Sequence, residues 1–258
     1  MAQYQDHMLI LKSRPYRESD ALITAFGLKS GKIGAIAKGT RRAKNRLAGL
    51  YPLSYTVCEI YHGRSNLDTI TGTDLVEGFS GMRQDLSRLS WGMLLADLVD
   101  EMWEERDAAP AVFPWVVGGW EGLAQGANAL TITLTACWHL LQLAGYYPQW
   151  ETCEVCGRVP DDGPVALDPV HDRLYCTRHR PGDDHLVSVF LGTWRTWRRW
   201  MELDVNRLGQ YEAKGAIGAQ IFTVFRRYVH SHIGRLPRSL QFLQEVENIG
   251  VEGEDLTT

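Results

Sequence analysis

The chain of 258 residues has a formal net charge of −4, with 45% hydrophobic and 22% charged residues, the balance of an ordinary globular protein. No run approaches the roughly 18 apolar residues of a membrane span, and MAQYQDHMLILKSR lacks the apolar centre of a secretory signal. A cytoplasmic protein is therefore expected.

Residues 7–75 read as short strands. HMLILKS, ALITAFG, KIGAIAKG, SYTVCEIYHG and NLDTITG alternate partly with period two, and Gly-, Ser- or Asn-bearing turns separate them. A small closed barrel of the OB type accounts for them better than an open sheet with exposed edges, and an SH3-like barrel also fits the pattern. From Met82 the period changes. Leu86, Leu89, Met93, Leu94, Leu98 and Met102 mark one face of a helix, and Phe113 to Leu123 and Leu130 to Ala144 offer two more. After Pro181, Leu186 to Trp200 is short and aromatic, and Ala213 to Ser231 is a clear amphipathic helix.

The fold class expected is α+β, an N-terminal OB-fold β-barrel followed by a mainly helical domain with a zinc-binding insertion. The expected limits are 1–80 for a nucleic-acid-binding barrel, 81–150 and 182–244 for the two parts of the helical domain, 151–181 for the insertion, and 245–258 for a flexible acidic tail.

Charge is spread unevenly. Residues 1–80 carry 11 basic and 7 acidic side chains, a net of +4, whereas residues 81–150 carry 3 and 8, a net of −5. The stretch from Ala21 to Cys58 holds Lys29, Lys32, Lys38, Arg41, Arg42, Lys44 and Arg46 and no acid. These residues crowd into predicted turns instead of lining a solvated helix face. That placement favours an anion-binding surface, and nucleic-acid phosphate is the usual ligand of such a field.

The second motif is Cys153-x2-Cys156-x19-Cys176-x2-His179. Each pair lets two ligands converge from a tight turn, and three sulfurs with one nitrogen suit a single structural zinc. The intervening segment is rich in Gly, Pro and Asp and has little core, so metal would supply its folding energy. His171 is a rival fourth ligand. A redox CxxC pair is the other alternative, but no βαβ context supports one. Cys58 and Cys137 lie in apolar settings and read as buried thiols.

Catalytic signals are weak. There is no GxxxxGK[ST], GxSxG or HExxH. The acids Asp97, Asp100, Glu101, Glu104 and Glu105 admit a magnesium-site reading, but they flank a helix that must also bury Leu98 and Met102. A solvated acidic face is the plainer account. His139 reads as a core histidine. In WRTWRRW (194–200), Trp194, Trp197 and Trp200 either form one packing stripe or, with Arg195, Arg198 and Arg199, a surface for bases or an acidic peptide. The chain is not expected to be an enzyme.

LILKSRPYRESDALITAFGLKSGKIGAIAKGTRR, LAGLYPLSYTVCEIYHGRSNLDTITGTDLVEGF, the Cys/His segment and RRYVHSHIGRLPRSLQFL resemble the bacterial RecO family of recombination mediators. The resemblance implies binding of single- and double-stranded DNA, strand annealing, and work with RecR to load RecA onto DNA coated by single-strand binding protein. It implies a cytoplasmic, nucleoid-associated protein. DNA-binding turns map onto Lys38, Arg41 and Arg42, with Lys44 and Arg46 nearby. Contact with the acidic tail of single-strand binding protein maps onto Arg226 and Arg227. Zinc is held in part of the family only, often by four cysteines, whereas His179 stands at the last position here. The rivals to this reading are a non-catalytic protein–protein adaptor and a magnesium-dependent nuclease.

Overall fold

The computed structural model describes residues 2–40, 47–63, 67–234, 237–243 and 245, and the chain divides into two compact units, 1–126 and 127–258. The first unit begins with five strands: β1 (Ala2–Tyr16), β2 (Asp20–Gly27), β3 (Gly31–Ala37), β4 (Ser54–His62) and β5 (Asp68–Glu77). They pair in the order β1-β2-β3-β5-β4, and β4 returns to β1, so the ring closes on itself. Alternation places Met8, Ile10, Ile23, Ala25, Ile33, Ala35, Ala37, Cys58, Ile60 and Ile70 in one core, which Leu47 and Leu50 complete. The recurring alanines suit the narrow interior of a five-stranded ring.

β1 is buried on both faces. Met8, Leu9, Ile10 and Leu11 are all fully buried, and the register shifts between Ile10 and Lys12. The extra residue lets the strand satisfy the ring core on one side and helix α1 (Leu86–Met102) on the other. Asp85 caps α1 by accepting from the Arg88 amide at 3.1 Å. Helix α2 (Val112–Ala124) follows, and Trp120 donates its indole N–H to the Gly92 carbonyl of α1 at 3.1 Å.

The joint between β3 and β5 is parallel and short, Ala35, Ile36 and Ala37 facing Asp68, Thr69 and Ile70. It is reinforced by a fully buried carboxylate. Asp68 accepts from Tyr4 Oη at 3.2 Å and from Arg106 Nη2 at 3.1 and 3.2 Å, and it pairs with His62 Nδ1 at 2.6 Å. The strap after α1 lies beside β3: the Arg106 amide donates to the Lys32 carbonyl at 2.8 Å, with Arg106 at φ 63°. Gly31 allows this approach, since a Cβ there would lie 2.2 Å from the Asp107 carbonyl oxygen.

The second unit contains α3 (Ala129–Leu143), β6 (Val165–Asp168), β7 (Arg173–Tyr175), β8 (Val187–Val189), α4 (Leu191–Met201) and α5 (Gly215–Ile233). Its core is aromatic. Trp138 meets Tyr228, Phe225, Trp150 and Trp197 at ring-centroid distances of 5.1, 5.5, 5.8 and 5.9 Å. His139 is a buried core residue whose Nε2 meets the Trp200 carbonyl at 2.8 Å.

The chain is α+β, but the expected fold class needs correction. The N-terminal sheet is not a uniform barrel: among the described residues, from Gly72 to Glu77 β5 is paired with β4 alone, so this stretch lies beyond the parallel joint. The second unit is not simply helical either, because it has a sheet of its own in the order β7-β6-β8, open and not a barrel. Residues expected at the start of an aromatic helix supply β8 instead, where Val187 and Val189 are buried and Ser188 is exposed. The compact units meet at 126/127, not at the expected 80/81, because α1 and α2 group with the N-terminal sheet.

Two measurements test this account. Asp68→Ala removes the acceptor of three groups and is expected to lower the unfolding free energy of the first unit by about 2–3 kcal/mol in urea titration. Burial holds the His139 imidazole below its ordinary value, against the opposing bond to Trp200. Its stabilising contribution is therefore present above about pH 6.5 and lost as pH falls, because the unfolded chain takes up the proton first. His139→Gln is expected to flatten the pH dependence of thermal unfolding below that value.

Candidate metal centre and basic face

The four ligand atoms of Cys153, Cys156, Cys176 and His179 lie within 4.8 Å of one another. The first pair sits in a turn closed by the Gly157 amide donating to the Cys153 carbonyl at 2.8 Å, with Gly157 at φ 66°. The second pair opens a 3-10 turn in which the His179 amide donates to the Cys176 carbonyl at 3.0 Å. The sheet brings the two turns together, since the Glu154 amide donates to the Leu174 carbonyl of β7 at 2.8 Å. His179 Nδ1 is 3.2 Å from Cys176 Sγ and 3.7 Å from Cys153 Sγ. A tetrahedral zinc with bonds of about 2.3 Å to sulfur and 2.0 Å to nitrogen requires a nitrogen–sulfur edge of about 3.5 Å. The donor set and its spacing fit a structural zinc site.

The thiols are prepared for a cation. Burial pushes Cys153 up, but the amides of Cys176, Cys156 and Val155 and the His179 ring outweigh it and bring the thiol down to about 6. Burial raises Cys176, and the neighbouring Cys153 adds to that rise. A bound dication reverses this repulsion.

His171 stands apart from the cluster. Its Nδ1 faces Asp168 Oδ2 at 2.9 Å in the turn between β6 and β7. The same turn docks on α5, where Ser231 Oγ donates to the Pro169 carbonyl at 2.7 Å and His232 Nε2 lies 3.1 Å from Asp172 Oδ1.

The described basic residues divide into two kinds. Lys29 and Lys38 are exposed in the turns that follow β2 and β3. Lys32 is not available in the same way: its Nζ donates to the Asp100 carbonyl at 2.5 Å and lies 3.5 Å from Asp100 Oδ1, with the side chain only 15% exposed. Arg41, Arg42, Lys44 and Arg46 lie outside the described residues, as does the tail from 246. Arg14 and Arg17, which sequence reasoning missed, are exposed at the end of β1 and in the turn after it. The Asp20 carboxylate joins that turn to Lys38 by accepting from the Gly39 amide at 3.0 Å. Glu18 and Asp20 in sequence hid these arginines, because the acid-free stretch starts only at Ala21.

The acidic helix has a structural use. Lys12 Nζ meets Asp100 Oδ2 at 2.5 Å and Asp97 Oδ1 at 3.8 Å, so both acids answer lysines of the sheet. In WRTWRRW the three tryptophans are buried, and Trp194 and Trp200 donate to the Trp150 and Tyr211 carbonyls, each at 2.7 Å. The packing stripe is what the structure contains. On α5, Arg226 stacks over Phe222 at 5.9 Å and its Nε is buried without a hydrogen bond among the described residues, while Arg227 is exposed. Burial lowers the Arg226 guanidinium, and Arg227 beside it does so further. No described helix is long and apolar enough to cross a membrane.

A β-sheet unit with basic turns, followed by a helical unit stapled by a Cys3His cluster, is the build of a binding protein with a structural metal site. The N-terminal model of Recombination protein O matches residues 1–79 and the C-terminal model residues 83–241. The chain is 30% identical to the DNA repair protein RecO of Heliobacterium modesticaldum, over 95% of this chain and 91% of that protein. Its identity to the RecO proteins of Exiguobacterium sibiricum and Symbiobacterium thermophilum is 26% in each case. Those matches cover 94% and 96% of this chain, and 96% and 99% of the relatives. The chain belongs to the Recombination protein O family of DNA-repair and recombination proteins, which are non-catalytic mediators.

The ligand assignment predicts about one zinc per chain, with X-ray absorption giving three sulfur neighbours near about 2.3 Å and one nitrogen near about 2.0 Å. His171→Ala is expected to leave the metal content unchanged, and His179→Ala to lower it. Equal loss in both would overturn the choice of fourth ligand.

Proposed function

We propose that this chain is a recombination mediator that binds single- and double-stranded DNA, anneals complementary strands and, with RecR, helps load RecA onto DNA coated by single-strand binding protein. It works in the cytoplasm on nucleoid DNA. The observation that carries this reading is the family match along nearly the whole chain, combined with an acid-free basic stretch in its N-terminal part.

Lys29, Lys38, Arg41, Arg42, Lys44 and Arg46 form the phosphate-facing set, joined by Arg14 and Arg17. Two DNA strands repel through their phosphates, and a basic surface lowers that cost while it holds them close enough to pair. Base stacking and pairing then drive the step, so no bond is broken and no nucleotide is consumed. Cys153, Cys156, Cys176 and His179 hold one structural zinc. Four protein ligands leave it no open position, and what it supplies when bound is folding energy for a segment with a very small core. Arg226 and Arg227 receive the acidic tail of single-strand binding protein, a role supported by the unpartnered Nε of Arg226. The nuclease alternative loses its support where Asp97 and Asp100 are engaged by lysines.

Zinc-replete protein is expected to accelerate duplex formation without nucleotide and without shortening either strand, and salt is expected to suppress the effect. A strict ATP requirement, or strand shortening lost in Asp97→Ala, would sink this reading. Arg41→Ala with Arg42→Ala should weaken binding to unrelated DNA sequences equally and reduce the salt slope by up to about 2. Lys38→Ala should reduce the slope by about 1, whereas Lys32→Ala should lower stability and leave the slope unchanged.

A further inference from the structure

The end of the β1–β2 hairpin combines an aromatic ring with cations on a surface that no sequence motif marks. Side chains alternate along a strand, so Arg14 and Tyr16 share one face of β1. The hairpin register sets Arg14 opposite Leu22 and Tyr16 opposite Asp20. On the next strand Ala37 is opposite Ala21, which brings Lys38 beside Asp20. Tyr16 thus lies among Arg14, Arg17 and Lys38.

The tip is held in place. Arg17 adopts φ 51°, a left-handed conformation that a non-glycine residue takes at some cost. Its guanidinium carbon lies 5.3 Å from the centroid of the Tyr16 ring, and the ring itself is half-buried while Arg17 is exposed. Two contacts fasten this turn to the one after β3. Gly39 donates its amide to Asp20 Oδ1 at 3.0 Å, and Thr40 Oγ1 donates to the Ser19 carbonyl at 3.5 Å. Asp20 is thereby occupied, and the Gly39 amide, with Ser19, Arg17 and Lys38, holds its carboxyl below the usual range.

We propose that Tyr16, with Arg17 against its ring, is a stacking platform for an unpaired nucleobase, and that Arg14 and Lys38 hold the flanking phosphates. A base exposes its face for stacking only when it is out of a duplex, so this corner favours single strands. The inference rests on the DNA-binding reading and adds a subsite to it.

The test measures fluorescence anisotropy of full-length, zinc-replete protein with labelled oligothymidylate and with an abasic oligomer of equal length. The wild type is expected to bind oligothymidylate about tenfold more tightly, the order expected for stacking one base. Tyr16→Ile is expected to abolish that preference while leaving abasic affinity unchanged, and Tyr16→Trp to retain it. A preference that survives Tyr16→Ile, or a wild type that never distinguishes the two oligomers, overturns the platform and leaves phosphate binding intact. Failure of the wild type to bind either oligomer overturns the DNA-binding reading itself. Thermal unfolding of the variants separates loss of fold from loss of stacking, and the folded Tyr16→Trp protein decides the question if Tyr16→Ile does not fold.

Discussion

The N-terminal unit depends on one buried carboxylate. A five-stranded ring needs its first and last partners to meet with acceptable geometry, and here the parallel joint of β3 and β5 is the shortest of the five. Asp68 lies at its start, wholly removed from water. A lone charge in that position would be prohibitive. Tyr4 from β1, His62 from β4 and Arg106 from the strap after α1 converge on it, so a single residue gathers separate parts of the chain. The same strap bonds to the backbone of β3. The ring is thus closed by polar chemistry where its backbone ladder is weakest.

The second unit solves a different problem. α3, α4 and α5 supply a core of interlocked tryptophans, but the segment between α3 and α4 has strands of only three or four residues. Their small apolar cluster, Ala166, Tyr175 and Leu186, cannot carry such a segment alone. The Cys3His cluster on one side and the docking of the β6–β7 turn on α5 on the other divide that task. Fixing the turn by Ser231 and His232 also explains why His171, well placed in sequence to be a ligand, instead pairs with Asp168.

Much of this was legible in the sequence. Period-two runs marked the five N-terminal strands, the three- and four-residue spacings marked α1 to α3 and α5, and the CxxC…CxxH spacing named the metal cluster. What was missed has physical causes. Three- and four-residue strands are too short to show alternation, so β6, β7 and β8 passed as loop or helix. Grouping of α1 and α2 with the sheet rests on long-range burial of Leu9 and Leu11, which a local pattern does not express. Counting charge along the chain enrolled Lys32 in the anion-binding set, whereas only its position across from Asp100 reveals it as an internal ion-pair partner. The same linear count set aside Arg14 and Arg17 because acids neighbour them in sequence, although Asp20 spends its charge on the Gly39 amide.

The pairing of α1 with the lysines of β1 and β3 has a bearing on how a polyanion approaches. Lys12 and Lys32 lie under the helix with Asp97 and Asp100 against them, so on that flank positive charge is cancelled at its source. At the hairpin tip and the turn after β3, the cations stand clear of such cancellation. The field of this unit is consequently lopsided, and a phosphate chain arriving from solution feels a torque as well as a pull. The helix acts as a shield that makes one side of the sheet electrostatically silent, and the resulting bias turns the strand toward the exposed rim before any contact forms.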